Sequence, residues 1–454
     1  MTPPIDPHHN PALEGSPLVG YLKFAVPSVV GLVVLSAAPI IDGLFIANYV
    51  GVEALAAVNL IIPFYAVVFG MAYMVAIGGS VTAGKYIGED NKQGANDIFS
   101  KAVIFLLLYS LVILVGGVFA SEFLFSALGA GPNLYPLMGE YFGTLVWFFP
   151  IQILGVTYYY YVRISGFPAL VSVAIVLGVV TNLALNYLLI AVLQWGLQGA
   201  AVATGISATV MLVVTLAYKL SEKAWLKLAF VQSNWKELAF AAYNGFSDLI
   251  DEISGGVVAL ILNLIIIASF GDLGIAAFSV VSYSLVVGFL FFFGLSEALQ
   301  AVCSQCFGAQ DVRRLKQFLR VTLGTMTVFA AIFSASLLLF GDVFIGFFID
   351  AGERNLVQMS NDFIAILWPI FVFNGFNVTV AAYLTSVHQP TASAGLAVVR
   401  ALIFPLGLLY IITEYFPEIP FLFAIVVGEI LAAGIAFALL VNYRPSRVLA
   451  KARF

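Results

Sequence analysis

Asp42 is an isolated acid inside a long apolar stretch, residues 18–48, in the sequence Pro-Ile-Ile-Asp-Gly-Leu-Phe. No other Asp, Glu, Lys, Arg or His lies between Lys23 and Glu53. A carboxylate inside a membrane span costs about 2.5–3.5 kcal/mol on insertion scales, so it usually persists for a reason. One interpretation is an acid near a helix end that reaches back to water. The other is a carboxylate that binds an ion or a proton.

Three isolated polar residues in later apolar stretches lie at a depth comparable to that of Asp42. At 1.5 Å per residue, Asp42, Asn186 and Thr204 lie roughly 9–12 Å from one end of their helices. Asn182 lies one turn from Asn186 on the same helix face. One carboxylate, two amide oxygens and a hydroxyl form an all-oxygen site for a hard cation such as Na⁺, or a protonation site at Asp42. The alternative is that the amides and the hydroxyl only join helices by hydrogen bonds.

The second half of the chain carries a different polar set. Arg400 lies ~13 Å, Glu429 ~18 Å and Glu297 ~10 Å from the basic ends of their spans. Either acid is able to neutralise Arg400, and this pattern favours a structural ion pair over a gating or substrate role.

Acids and tyrosines near two span ends have two interpretations each. Asp248, Asp251 and Glu252 begin a span, where acids favour a helix N-terminus, but Glu252 is deeper. We name a possible second site that consists of Glu252, Glu297 and Arg400.

Residues 158–161 are four tyrosines. They are able to line a cavity for drugs, but a belt at the membrane interface is the favoured interpretation.

Composition predicts an all-α polytopic membrane protein. The chain has 454 residues, of which 62% are hydrophobic and 9% are charged, and its mean hydropathy is +1.05. At about 20 residues per span plus loops, this length predicts twelve transmembrane helices. The predicted units are a disordered tail 1–17, a six-helix lobe 18–218, a connector 219–237, a second six-helix lobe 238–443 and a basic tail 444–454.

The distribution of Lys and Arg predicts the orientation. If both ends of the chain face the cytoplasm, every Lys and Arg except Arg354 and Arg400 is cytoplasmic. This agrees with the positive-inside rule and with an even number of spans.

An internal repeat predicts two lobes of similar structure. Displacing the chain by 220 residues aligns Gly51–Asn91 with Gly271–Asp311 without a gap, with six identities. In both halves the second helix ends in glycine before a charged loop. We therefore expect two parallel six-helix repeats with a binding cavity between them.

The sequence carries no catalytic or nucleotide-driven signature. The histidines His8, His9 and His388 lie in no nucleophile or metal motif, and there is no P-loop. Cys303 and Cys306 are expected to be free thiols. A membrane-embedded enzyme would need paired His or acid motifs, so we expect no enzyme, no cofactor and no nucleic-acid partner.

These residues resemble the multidrug and toxic compound extrusion (MATE) family, DinF-like branch. The resemblance is carried by Pro27 followed fifteen residues later by Asp42, by Gly51 before Ala56-Ala57, and by the loop around Gly88. It implies the MATE fold, a cation site in the first lobe at Asp42, Asn182, Asn186 and Thr204, and a bending point at Pro27. Some members carry a second aspartate at the position of Asn186, which leaves the coupling ion open here.

The resemblance further implies a monomeric antiporter in the bacterial inner membrane. It would export small amphipathic, often cationic, drugs or toxic compounds in exchange for Na⁺ or H⁺, among membrane lipids. A flippase for a lipid-linked precursor is the alternative, and such relatives usually have a cationic cavity.

Overall fold

The computed structural model describes residues 10–229, 231, 234–346, 348 and 353–452, and every regular element in them is helical. Parts of both predicted tails (residues 1–9, 453 and 454) and of the predicted connector (residues 230, 232 and 233) lie outside the described residues. The helices are α1 Pro17–Tyr49, α2 Val52–Gly88, α3 Lys92–Phe119, α4 Ser121–Ala127, α5 Tyr135–Leu145, α6 Phe149–Ile164, α7 Pro168–Asn186, α8 Gly196–Leu216, α9 Lys236–Asn244, α10 Phe246–Gly308, α11 Val312–Ile345, α12 Arg354–Leu367, α13 Pro369–Ser386, α14 Pro390–Val398, α15 Phe404–Tyr415, α16 Phe423–Asn442 and α17 Pro445–Ala452.

The helices account for the predicted membrane spans. Ten helices in the described part of the chain are long and apolar enough to cross a membrane, and the pair α12 and α13, bent by 43°, makes eleven. The 63-residue helix α10 counts once among these, although non-helical backbone at Gly271 divides it into arms 246–270 and 272–308. Each arm exceeds the ~20 residues that one crossing needs. Counting the arms separately gives the twelve spans that composition predicts.

The two halves repeat with the register that the sequence predicts. Helix α2 covers residues 52–88, and the second arm of α10 covers residues 272–308, which is the same segment displaced by 220 residues. Each follows a glycine with positive φ, Gly51 (133°) and Gly271 (61°), a conformation that a residue with a Cβ rarely adopts. After each, Asp90 and Gln310 have φ values of 56° and 57°. The N-lobe therefore comprises α1–α8 and the C-lobe α10–α16.

The lobes meet at one end of the bundle, here called the basic end because it carries Lys85, Lys92 and Arg314. A Cβ atom added to Gly88 would lie 2.0 Å from the carbonyl oxygen of Gln305, and one added to Gly308 would lie 1.9 Å from that of Lys85. The two contacts are equivalent in the repeat. They show that α2 and the second arm of α10 cross with their backbones in direct contact.

One packed apolar core spans both lobes, and a second core belongs to the N-lobe alone. One cluster of buried apolar residues contains side chains from both lobes. A second cluster contains only N-lobe residues, among them Ile46, Ala57, Phe142 and Leu197. At Gly51 and Gly271, which begin the two crossing helices, an added Cβ would meet nothing within 4 Å. The lobes are thus closely packed at the basic end, and the glycines that begin the crossing helices make no such close contact.

Gly308→Ala is expected to destabilise the protein, because the new methyl group would overlap the backbone of α2. Overpacking of this kind costs about 1–3 kcal/mol. The matched control is Gly324→Ala on α11, where an added Cβ meets nothing within 4 Å. In thermal unfolding of the purified proteins, Gly308→Ala should have a lower midpoint than wild type. The midpoint of Gly324→Ala should not be lowered. Equal midpoints would contradict the close approach.

Candidate functional site

Asp42 on α1 is the centre of a hydrogen-bonded cluster that joins three helices of the N-lobe. Asn182 and Asn186 on α7 donate from their Nδ2 atoms to Oδ1 of Asp42 at 3.0 and 2.5 Å. Thr204 on α8 donates from its hydroxyl to Oδ2 of Asp42 at 3.1 Å. The four residues that the sequence singled out are therefore brought together.

The helix geometry of α7 explains how both amides reach one carboxylate. Asn182 and Asn186 are four residues apart, so they lie one above the other on the same face. Asn186 also donates to Oδ1 of Asn182 at 3.2 Å. Directly after Asn186 the helix widens into a π-helical segment, Tyr187–Val192, a feature that is frequent at functional sites.

The cluster has the donor set of a site for a hard cation. The Oδ1 atom of Asn186 is buried and has no hydrogen-bond partner among the described residues. Together with the carboxylate of Asp42 and the oxygens of Asn182 and Thr204, it is available as a ligand. Oxygen ligands of this kind suit Na⁺. The carboxylate is equally able to take up a proton.

Asp42 lies in the wall of an N-lobe cavity of about 420 Å³. The lining comes from α1, α2, α6, α7 and α8 and is largely apolar and aromatic, with Tyr65, Phe69 and Tyr73 among it. Glu252 also lines the cavity and reaches it from α10 of the other lobe. The sequence analysis placed the binding cavity between the lobes. Most walls of the described cavity are N-lobe helices, and the C-lobe contributes Glu252.

Arg400 forms an ion-pair cluster inside the C-lobe. Its guanidinium donates to Oδ1 of Asp251 at 2.5 Å and lies 4.0 Å from Oε1 of Glu429. Asn374 and Asn377 on α13 donate to the two carboxylate oxygens of Glu429 at 2.9 and 2.7 Å. Glu429 was one of the two predicted partners of Arg400. Asp251, which the sequence analysis assigned to a helix N-terminus, is the closer partner.

Glu252, Glu297 and Arg400, the predicted second site, form no hydrogen bond or ion pair with one another. Glu252 lines the N-lobe cavity, and Arg400 lies in the C-lobe cluster. Glu297 on the second arm of α10 pairs with Arg163 of α6 across the lobes. The sequence gives the depth of a residue along its helix. It does not show which helix faces lie opposite each other.

The tyrosine run also differs from its favoured interpretation. Tyr159 and Tyr160 line the cavity, and their hydroxyls donate to Glu297 at 2.8 and 3.1 Å. These two of the four tyrosines therefore lie in a cavity wall, as the alternative interpretation requires.

Sequence reasoning missed Asn374 and Asn377, although their pattern contained a signal. Like Asn182 and Asn186, they are two asparagines about one turn apart in an uncharged apolar stretch. The first pair was noticed because its depth matched that of Asp42. The second pair donates to Glu429 as the first pair donates to Asp42. It was missed because the predicted depth of Glu429 was compared only with that of Arg400.

Comparison with known proteins identifies the family. The MatE family model matches residues 27–188 and 257–411, more than two thirds of the chain. The chain is 23% identical to the multidrug export protein MepA of Staphylococcus saprophyticus over 97% of both proteins. It is 26% identical to a protein named FAD transporter from Shewanella oneidensis, over 85% of this chain and 86% of that one.

A solved structure shares the fold along nearly the whole length. It is described as the outward-facing conformation of a multidrug resistance MATE family transporter, with a TM-score of 0.86 and 22% identity over 96% of this chain and 98% of that chain. Of the two segments that the family model matches, residues 27–188 lie in the N-lobe and residues 257–411 lie in the C-lobe. The chain is therefore a multi-pass membrane protein of the MATE transporter family.

Proposed function

We propose that this transporter is a cation-coupled antiporter that exports amphipathic, cationic organic compounds by alternating access, with Asp42 as the coupling residue. The observation that carries the proposal is the position of Asp42. Its carboxylate accepts hydrogen bonds from Asn182, Asn186 and Thr204 and also lies in the wall of the N-lobe cavity. An ion bound there and a substrate in the cavity would act on the same helices.

Coupling follows from the charge of this carboxylate. When Na⁺ or H⁺ binds, Asp42 is neutralised, and its interactions with α7 and α8 change. A ligand shifts a conformational equilibrium only through its different affinity for the two states. Ion binding therefore drives substrate release if the state with a neutral Asp42 has the lower affinity for a cationic substrate.

The cavity chemistry supports a cationic rather than an anionic substrate. Asp42 and Glu252 are acids in its lining, and no lysine or arginine is among the described lining residues. Aromatic side chains attract organic cations through their faces. The FAD named for one relative carries phosphates, as do the lipid-linked precursors of the flippase alternative. The lining described here offers such anions no positive charge.

With the basic end at the cytoplasm, as the positive-inside rule predicts, the described packing corresponds to an outward-facing state. In this proposal α1 bends at Pro27 during the transition. Proline lacks the N–H that would bond the carbonyl of Lys23, which weakens the helix there. The hydroxyl of Ser172 on α7 donates to the carbonyl of Pro27 at 2.5 Å, so that α7 and α1 are joined at the bend.

Asp42→Asn is expected to abolish coupled transport, because an amide neither takes up a proton nor supplies the charge that binds Na⁺. The measurement is ethidium transport in proteoliposomes, with a proton gradient and a Na⁺ gradient imposed separately. Wild-type protein should respond to one gradient, and the variant to neither. Glu53→Gln, an exposed acid at the start of α2, is the matched control and should transport as wild type. Gradient-driven transport by Asp42→Asn would contradict the proposal.

Thr204→Val distinguishes the two coupling ions by the direction of its effect. Thr204 is the donor to Oδ2 of Asp42. If the ion is Na⁺, the variant loses an oxygen ligand, and the Na⁺ concentration for half-maximal transport rises. If the ion is H⁺, the carboxylate loses a donor that stabilises its charge, and half-maximal transport moves to higher pH.

The control is Thr209→Val, because Thr209 is on the same helix and bonds only its own backbone, at the carbonyl of Gly205. A Thr204→Val variant with an unchanged ion dependence would argue against a role of this hydroxyl in coupling.

A further inference from the structure

A buried ion pair joins the two lobes between the N-lobe cavity and the basic end. Arg163 at the end of α6 donates to Oε2 of Glu297 on the second arm of α10. Their side chains are 4% and 12% exposed. The guanidinium also lies over the rings of Tyr159 and Tyr160, with its central carbon 5.1 and 4.8 Å from the ring centres.

The interlobe contact continues from this pair toward the basic end. Gln305 donates to the carbonyl of Ile164 at 2.9 Å. Ser304 is fully buried, and its hydroxyl lies 2.3 Å from the position that a Cβ of Gly84 would occupy. Separation of the lobes at the basic end therefore has to break the Arg163–Glu297 pair and expose Ser304.

Two residues belong both to the ion pair and to the cavity. Tyr159 and Tyr160 line the cavity, and each donates its hydroxyl to one carboxylate oxygen of Glu297. Tyr73 lines the same cavity and packs against Tyr160 with ring centres 6.2 Å apart. The hydroxyl of Tyr73 has no hydrogen bond to any described residue.

We propose that Arg163 and Glu297 form a latch between the lobes, and that a substrate in the N-lobe cavity favours the latched state through Tyr159 and Tyr160. This inference rests on the proposed function, since it needs a substrate in that cavity. A substrate that packs against the two rings holds them with their hydroxyls on Glu297. It loses those contacts when the tyrosines turn away, so its affinity is higher for the latched state.

The latch ties closure of the basic end to an occupied cavity. A substrate that enters from the basic end would promote closure of that end behind it, because ring contacts and latch bonds form together. Tyr159 and Tyr160 are positioning residues in this scheme. The pair of Lys101 with Glu237 also joins the two halves, but it connects α3 to the short helix α9 and has no residue in the cavity lining.

A thiol at position 304 reports whether the basic end is open. The sequence has two cysteines, Cys303 and Cys306, and replacing both by alanine leaves Ser304→Cys as the only thiol. The rate of its alkylation by fluorescein maleimide is measured in detergent, with and without ethidium. Ethidium binding is followed separately by its fluorescence. Ethidium should slow alkylation several-fold in this reference protein.

Conservative substitutions test the link between cavity and latch. Tyr159→Phe combined with Tyr160→Phe keeps both rings in the lining and removes both hydroxyls from Glu297. This variant should still bind ethidium, but ethidium should no longer slow alkylation. Tyr73→Phe is the matched control and should keep the full protection. If the double variant binds ethidium and retains the protection, the link is overturned.

The latch itself is tested without any substrate. Glu297→Gln should raise the alkylation rate several-fold, and the exchanged pair Arg163→Glu with Glu297→Arg should lower it again. A rate unchanged by Glu297→Gln overturns the latch and leaves the proposed function intact. If ethidium does not bind the reference protein, the proposed function and the substrate step both fail. An expression loss in the charge variants would leave the tyrosine variants to decide.

Discussion

An ionised side chain inside an apolar helical bundle has to be paired or hydrogen-bonded, and the clusters around Asp42, Arg400 and Glu297 meet that requirement in three different ways. Asp42 is held by neutral donors alone. Arg400 is held by two carboxylates within the C-lobe. Glu297 is held by Arg163 from the opposite lobe and by two tyrosines. The three clusters differ in whether the buried carboxylate already has a cationic partner. Of these three groups, only Asp42 lacks a cationic partner in its cluster, and this supports the proposal that an external cation serves as one.

The close crossing of α2 and the second arm of α10 determines where the lobes are able to move. Glycines at equivalent repeat positions, Gly88 and Gly308, let the two backbones touch. The backbones are in close contact at the basic end, whereas Gly51 and Gly271, which begin the same helices, make no such contact. Such an arrangement suits a pivot, because two rigid lobes that touch at one end are able to separate there only by closing at the other. Alternating access needs this geometry.

The cavity and the crossing are connected by one short segment of α6. Tyr159 and Tyr160 face the cavity, and Arg163, one turn later, reaches the C-lobe. A helix transmits a displacement over one turn with little loss because its backbone hydrogen bonds are satisfied internally. A contact made in the cavity is therefore within a few ångströms of the bond that joins the lobes. The cluster at Asp42 lies in another part of the same cavity wall, on α1, α7 and α8.

The sequence by itself determined the helical membrane spans, the repeat and the residues of the Asp42 cluster. These properties are local or periodic: apolar length sets the spans, a glycine before each crossing helix sets the break, and similar depth identified Asn182, Asn186 and Thr204. The tertiary structure decided which side chains meet across helices. It joined Asp251 to Arg400, Arg163 to Glu297, and turned the tyrosines into the cavity. Rotation of a helix about its axis and its choice of neighbour come from packing of whole faces, and a nearly uniform apolar sequence carries little record of either.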